Sequence, residues 1–175
     1  TNATLKAVTS KTKSISAEIS INGKVDIINS EKLILAIGII ANTEKLGLEN
    51  FNIKIDKGHI VTNEFLETDE KGIYAIGDVT KGPWLAHKAS HEGILCVENI
   101  AGHKNLKPID KTSIPGCTYC RPQVASIGLT EAQARSNNLN LKIGKFPFIG
   151  NGKAIAQGES EGLIKTIFDK DTGEL

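Results

Sequence analysis

The alternation of apolar and polar residues predicts β structure over residues 1–37. Residues 17–21 alternate, Asn22-Gly23 is a strong two-residue hairpin signal, and residues 24–28 return as the partner strand. Residues 32–37 form an unbroken apolar run after Lys32. Such a run predicts a strand buried on both faces, closed by Gly38. A loop is expected over 39–50, with Asn42-Thr43 and Gly47 as turn residues. A short pair of strands then brackets Asp56-Lys57-Gly58. A second apolar run, 72–79, ends in Gly77-Asp78 and again predicts a buried strand.

After the Gly82-Pro83 linker the period changes to 3.6. A helix is expected from about Leu85 to Ile100, with Leu85, Ala89, Cys96, Val97 and Ile100 on its apolar face and Gly102 just past its end. Residues 104–115 are polar and bounded by prolines, which marks a domain boundary. A second unit starts at Ile114. It carries a strand over 123–127, a helix from Thr130 to Ser136, and strands over 142–148 and 162–168. Thr130 is positioned to cap that helix, but Glu131 comes too early to complete a capping box. Asn137-Asn138 ends it, 150–152 is read as a turn, and the last turn runs into Glu174-Leu175.

The candidate chemistry sits at the second apolar run. A carboxylate at Asp78 would lie at the carboxyl end of a strand, where open α/β sheets bind ligands. The helix after it would aim free N–H groups and a positive dipole end at the same crevice. That pairing suits a cofactor bearing hydroxyls and negative charge.

Other motifs change the picture less. Cys117-x-x-Cys120 has the spacing of a thiol-redox motif, but Pro122 and a strand-like run follow where a helix would have to lower the first thiol's pKa. It is read as a reduced, partly buried pair on a strand. His87 and His91 lie one turn apart without a third ligand at metal spacing, so no metal site is expected. The Gly-x-Gly-x-x-Gly fingerprint, a P-loop and a nucleophile elbow are all missing. A net charge of +1 with scattered lysines gives no nucleic-acid or membrane surface, and nothing resembles a transmembrane span or signal peptide. An odd count of three cysteines points to a reducing compartment. Lys and Ile are frequent and Arg121 and Arg135 are the only arginines, a pattern of AT-rich bacterial coding; a bacterial cytoplasm is expected. The chain lacks Met and starts at Thr1, and its last hairpin stops short, so it reads as a piece excised from a longer protein.

Taken in order, several stretches resemble the flavin-dependent pyridine-nucleotide disulfide oxidoreductases, in particular their dihydrolipoamide dehydrogenase branch, the E3 components of 2-oxoacid dehydrogenase complexes. They are 33–38, 42–49, 72–78, 82–89, 115–119, 122–131 and 144–148, collinear along nearly the whole chain. The Leu85-Ala86-His87-Lys88-Ala89 and Lys145-Phe146-Pro147-Phe148 stretches favour this branch over the glutathione, mercuric and thioredoxin reductases.

The resemblance implies an α/β fragment of a flavoprotein with two dinucleotide-binding domains, passing into the α+β first half of an interface (dimerisation) domain. Residues 1–39 would end the NAD-binding domain, 40–107 would form part of the FAD-binding domain, and 108–175 would begin the interface domain. It implies FAD contacts at Gly77, Asp78, Trp84, Leu85, Ala86 and His87, and an NAD contact at Gly38. It implies a homodimer, an E2 acyltransferase partner and a lipoamide substrate. The family's redox Cys pair, both dinucleotide fingerprints and the C-terminal His-Glu base have no counterpart in these residues. No catalytic residue is therefore expected in this chain, and no turnover from it alone. Ile39-Ile40-Ala41-Asn42 stands where many members have Arg-Arg-Pro-Asn. The alternatives are a non-catalytic dimerisation or E2-binding module, a glutathione- or mercuric-reductase-like member, and a Cys-x-x-Cys thiol oxidoreductase.

Overall fold

The computed structural model describes residues 2–175, which fall into two compact units, 2–39 and 40–175. The first unit is an antiparallel meander of β1 (Ala3–Lys11), β2 (Ser14–Ile21) and β3 (Lys24–Ser30). Its second turn is the predicted Asn22-Gly23 hairpin, with φ of 49° and 82°. Two positive φ values give the turn the twist that adjacent antiparallel strands require, and Asn and Gly tolerate them best. Only Ala17, on the central strand, is buried in this sheet.

Residues 32–37 do not form the expected strand. They run without ladder bonds, and Ile34 and Ile37 are 88% and 86% exposed. A run apolar on both faces becomes a strand only when neighbours supply its hydrogen bonds and cover its sides. Among the described residues nothing pairs with it.

In the second unit, β4 (Ile55–Asp56) and β5 (His59–Ile60) form a minimal hairpin around Lys57-Gly58, as predicted, with φ of 47° and 84°. Thr43 is buried beside it and its hydroxyl donates to Gly58 O at 2.9 Å. Residues 72–79 also depart from expectation. Tyr74 makes one bridge to Glu67, Thr80 one to Ile60, and Gly77–Val79 close into a single 3-10 turn. Thr80 N closes the turn on Gly77 O, and side chains of the following helix rather than a ladder take the remaining bonds of Gly77.

The helix α1 (Ala86–Ile100) follows the predicted span. Gly102 at φ 75° ends it in a Schellman motif: Gly102 N donates to Asn99 O and His103 N to Glu98 O, both at 3.0 Å. The buried face differs from the predicted stripe. It is made by Lys88, Glu92, Leu95 and Cys96, whereas Val97 and Ile100 are exposed. Leu95 and Cys96 pack with Leu66, and Phe65, Tyr74, Leu106 and Ile109 complete this small core.

Further along, β6 (Gly116–Thr118) pairs with β7 (Val124–Ser126). Cys117 lies on β6 and Cys120 in the loop beyond it. Both are free and exposed rather than partly buried, because this two-stranded hairpin carries nothing over that face. The helix α2 (Glu131–Ser136) is capped by Thr130, and the capping box is complete after all: Gln133 fills the position that Glu131 could not, accepting from Thr130 N at 2.9 Å. The strand β8 (Leu141–Pro147) pairs with β9 (Leu163–Asp169), and a short helix α3 (Gly152–Ala156), capped by Asn151, replaces the expected simple turn. The whole is a mixed helix-and-strand chain, as the pattern predicted.

Candidate functional site

The site is built where the Gly77–Val79 turn packs on the first half of α1. Gly77 adopts φ 73°, a conformation L side chains rarely take, and a Cβ there would lie 3.4 Å from the Ala89 Cβ. What calls for glycine is thus the backbone conformation of the turn, since a Cβ would make only ordinary contact with the helix.

Two charged side chains of α1 hold the turn on the helix. Lys88 and Glu92, one turn apart, are both buried, and their charges meet at 3.0 Å. The other Glu92 oxygen accepts from Gly77 N at 2.7 Å. The Lys88 ammonium donates to Gly77 O at 3.1 Å and to Thr80 Oγ1 at 3.0 Å. The Thr80 hydroxyl in turn donates to Gly77 O at 2.8 Å. Lys88 has three donors and uses all three. A buried ion pair is tolerable only when its remaining valences are met in this way.

The clamp leaves Asp78 at the tip of the turn with its side chain exposed, in a 3-10 turn rather than at a strand end. On the helix side, Leu85 is the N-cap residue and makes no side-chain capping bond. The first main-chain bond inside the helix runs from Ala89 N to Leu85 O at 3.1 Å, so the N–H groups of Ala86, His87 and Lys88 are unclaimed by the helix itself. Ala86 and His87 are exposed. The His87 ring reaches the later segment, with Nε2 donating to Pro115 O at 2.9 Å. Trp84 precedes the cap, and its Nε1 donates to Thr80 O at 3.3 Å.

Gly77, Asp78, Trp84, Leu85, Ala86 and His87 therefore gather around one turn and one helix start in the second unit. Gly38 belongs to the first unit, at φ 127°, where an added Cβ would meet nothing within 4 Å. Lys88, Glu92, Thr80 and His59 were not read from the sequence. The only signal was the Lys-Glu spacing of four, which on most helices marks a solvated pair. Behind the clamp, a cavity of about 420 Å³ is lined by His59, Thr80, Pro83, Lys88, Glu92 and Ile109. It does not include Asp78. Among the described residues no cluster of three His, Cys, Asp or Glu side chains is placed to hold a metal. No helix there is long and apolar enough to cross a membrane.

Chemically, the arrangement offers an acceptor carboxylate for hydroxyl groups, and free N–H donors with a positive dipole end for oxygen-rich or negatively charged groups. These donor types fit the ribityl hydroxyls and ring oxygens of FAD. Burial raises the Cys96 thiol pKa, with Glu67 adding to the effect, so this cysteine is a packing residue and not a nucleophile.

Comparison with known proteins bears on the same residues. The pyridine nucleotide-disulphide oxidoreductase pattern matches residues 1–93, and the dimerisation-domain pattern of that group matches 114–175. The dihydrolipoyl dehydrogenase of Rhizobium etli is 51% identical over the whole chain, and that of Zymomonas mobilis 49%. The chain spans somewhat over a third of their length, 37% and 38%. Among solved structures, LpdA from Mycobacterium tuberculosis superposes with a TM-score of 0.86 at 23% identity, covering 98% of this chain and 37% of that one. The HOCl-induced flavoprotein disulfide reductase RclA from Escherichia coli superposes at 0.82 and 22%, covering 98% and 39%. At such identities these structures speak for the fold alone. The collinear stretches, the fold and the patterns covering both halves agree, and the chain belongs to the pyridine nucleotide-disulphide oxidoreductase family.

Proposed function

We propose that this chain forms the flavin-facing centre and part of the dimer surface of a dihydrolipoyl dehydrogenase. The observation that carries the reading is the Gly77-Asp78 turn clamped against the uncapped start of α1. Its support is about half-identity to proteins named dihydrolipoyl dehydrogenase.

In this reading Asp78 accepts hydroxyl hydrogens of the FAD ribityl chain, and Gly77 gives the turn the positive φ that presents it. Main-chain groups of Trp84, Leu85, Ala86 and His87 face the isoalloxazine. Gly38 lines the nucleotide site, taken to be for NAD. FAD, when bound, supplies the electron relay between a dithiol substrate and the nicotinamide. The helix start favours negative charge on the reduced ring, and the buried Lys88–Glu92 pair keeps the turn in place throughout. Residues 1–39, 40–107 and 108–175 correspond to the end of the NAD domain, part of the FAD domain and the start of the interface domain. The parent enzyme dimerises through the last of these, takes dihydrolipoamide from an E2 acyltransferase, and works in the bacterial cytoplasm. The residues of this chain hold one part of the cofactor site and no redox dithiol, so the chain alone does not turn over.

The test is a graft. These 175 residues replace their counterpart in the Rhizobium etli relative. The expected product is a yellow dimer that forms NADH from dihydrolipoamide, and an Asp78→Ala graft that loses flavin. A folded, dimeric wild-type graft without flavin overturns the reading. NADH formation by the isolated chain overturns the claim that it is inactive.

A further inference from the structure

The start of α1 has no side-chain cap, yet it must be held if residues 85–87 are to face a ligand. Trp84, the only tryptophan of the chain, takes that place. Its indole is fixed at three points. Nε1 donates to Thr80 O at 3.3 Å. Gly82 lies so close that a Cβ there would sit 3.3 Å from the indole atoms Cδ2 and Cε2. The His59 ring stacks on the indole with centroids 5.3 Å apart and planes 18° from parallel.

His59 is itself pinned by its own hairpin. It follows the Lys57-Gly58 turn on β5, and its Nδ1 donates to Lys57 O at 3.2 Å. Nε2 is buried and makes no hydrogen bond to the described residues. The contact the ring makes with the entrance to α1 is through its flat face, held in orientation by the Nδ1 bond.

We propose that His59 is a positioning residue: through its stack on Trp84 it fixes the entrance to α1 and so the flavin-facing main chain of Leu85, Ala86 and His87. The functional part rests on the reading above; the positional part does not. The hairpin β4–β5 sets the ring, the ring sets the indole, and the indole sets the residue before the N-cap.

The experiment compares wild-type chain, His59→Ala and His59→Phe. In His59→Ala the Trp84 emission changes, and hydrogen exchange quickens about tenfold at the indole N–H and at the Ala89 amide, the first bonded amide of the helix. Exchange in β8 and β9 stays as it was, which excludes general unfolding. His59→Phe restores the flat partner and the slow exchange. In the grafted holoenzyme, His59→Ala weakens flavin retention about tenfold and His59→Phe recovers it. Unchanged exchange in His59→Ala, or failure of His59→Phe to restore it, overturns the positional claim. Equal flavin retention in His59→Ala and wild-type grafts overturns the functional one. A wild-type graft without flavin refutes the proposed function instead, and the exchange measurements still decide the role of His59.

Discussion

Glu92→Ala is the perturbation that tests the clamp most directly. The substitution removes two things at once: the countercharge 3.0 Å from the Lys88 ammonium and the acceptor 2.7 Å from Gly77 N. Lys88 is 3% exposed, so water does not replace the lost carboxylate. Removing one member of a buried pair typically costs about 3–5 kcal/mol. Lys88 keeps Gly77 O and Thr80 Oγ1 as neutral acceptors, which argues for the lower end, about 3 kcal/mol. Lys88→Met leaves the Glu92 carboxylate with Gly77 N alone and costs a similar amount. The double variant Lys88→Met/Glu92→Leu leaves no buried charge. Its main defect is an unpaired Gly77 N–H, worth about 1–3 kcal/mol. The singles should therefore sum to more than the double, by about 3–5 kcal/mol. Urea unfolding followed by Trp84 emission is the assay, because the indole bonds to Thr80 within the same network. With a slope of about 1–3 kcal/mol per molar urea, each single variant moves the midpoint down by roughly 1–3 M. Singles that cost under about 1 kcal/mol, or a strictly additive double, would refute the reasoning: the pair would then be behaving as a solvated one.

Two further outcomes are expected. Gly77→Ala meets only ordinary contact with Ala89 at 3.4 Å, so its cost is the backbone at φ 73°, about 1–2 kcal/mol, seen as a lower midpoint in the same assay; an unchanged midpoint would mean the turn relaxes freely. Glu131 accepts from Lys165 at 2.6 Å and from Arg135 at 2.7 Å, and these bonds, Lys165 first, hold its pKa at about 2 instead of 4.5. The folded value is the depressed one, so its stabilisation is present above about 4.5 and fades as pH falls towards about 2. The stability gap between wild type and Glu131→Gln should close over that window, and a gap constant with pH would count against it.

What could be read from the residues was local. Asn22-Gly23 and Lys57-Gly58 announce their turns because positive φ is demanded within two residues. The span of α1 follows from a linker before it and Gly102 after it, and Thr130 marks its own helix. What could not be read depends on partners distant in sequence. The apolar runs at 32–37 and 72–79 have the composition of buried strands, but composition does not supply the neighbouring strand that makes one. Lys88 and Glu92 look like a surface pair until Gly77 and Thr80 are brought against them. His59 carries no motif at all, and only the fold lays it under Trp84. The residues named for the flavin came from collinear resemblance, and the side chains that hold them in place came from packing.

The run 33–40, Leu33-Ile34-Leu35-Ala36-Ile37-Gly38-Ile39-Ile40, contains no charge and no proline, and most of its large side chains are open to water. A stretch of that length and composition is the kind that docks on copies of itself in cross-β stacks. It is also what holdase chaperones grip, since they favour extended apolar backbone. Made by itself in a cell, the chain would thus be a quality-control client.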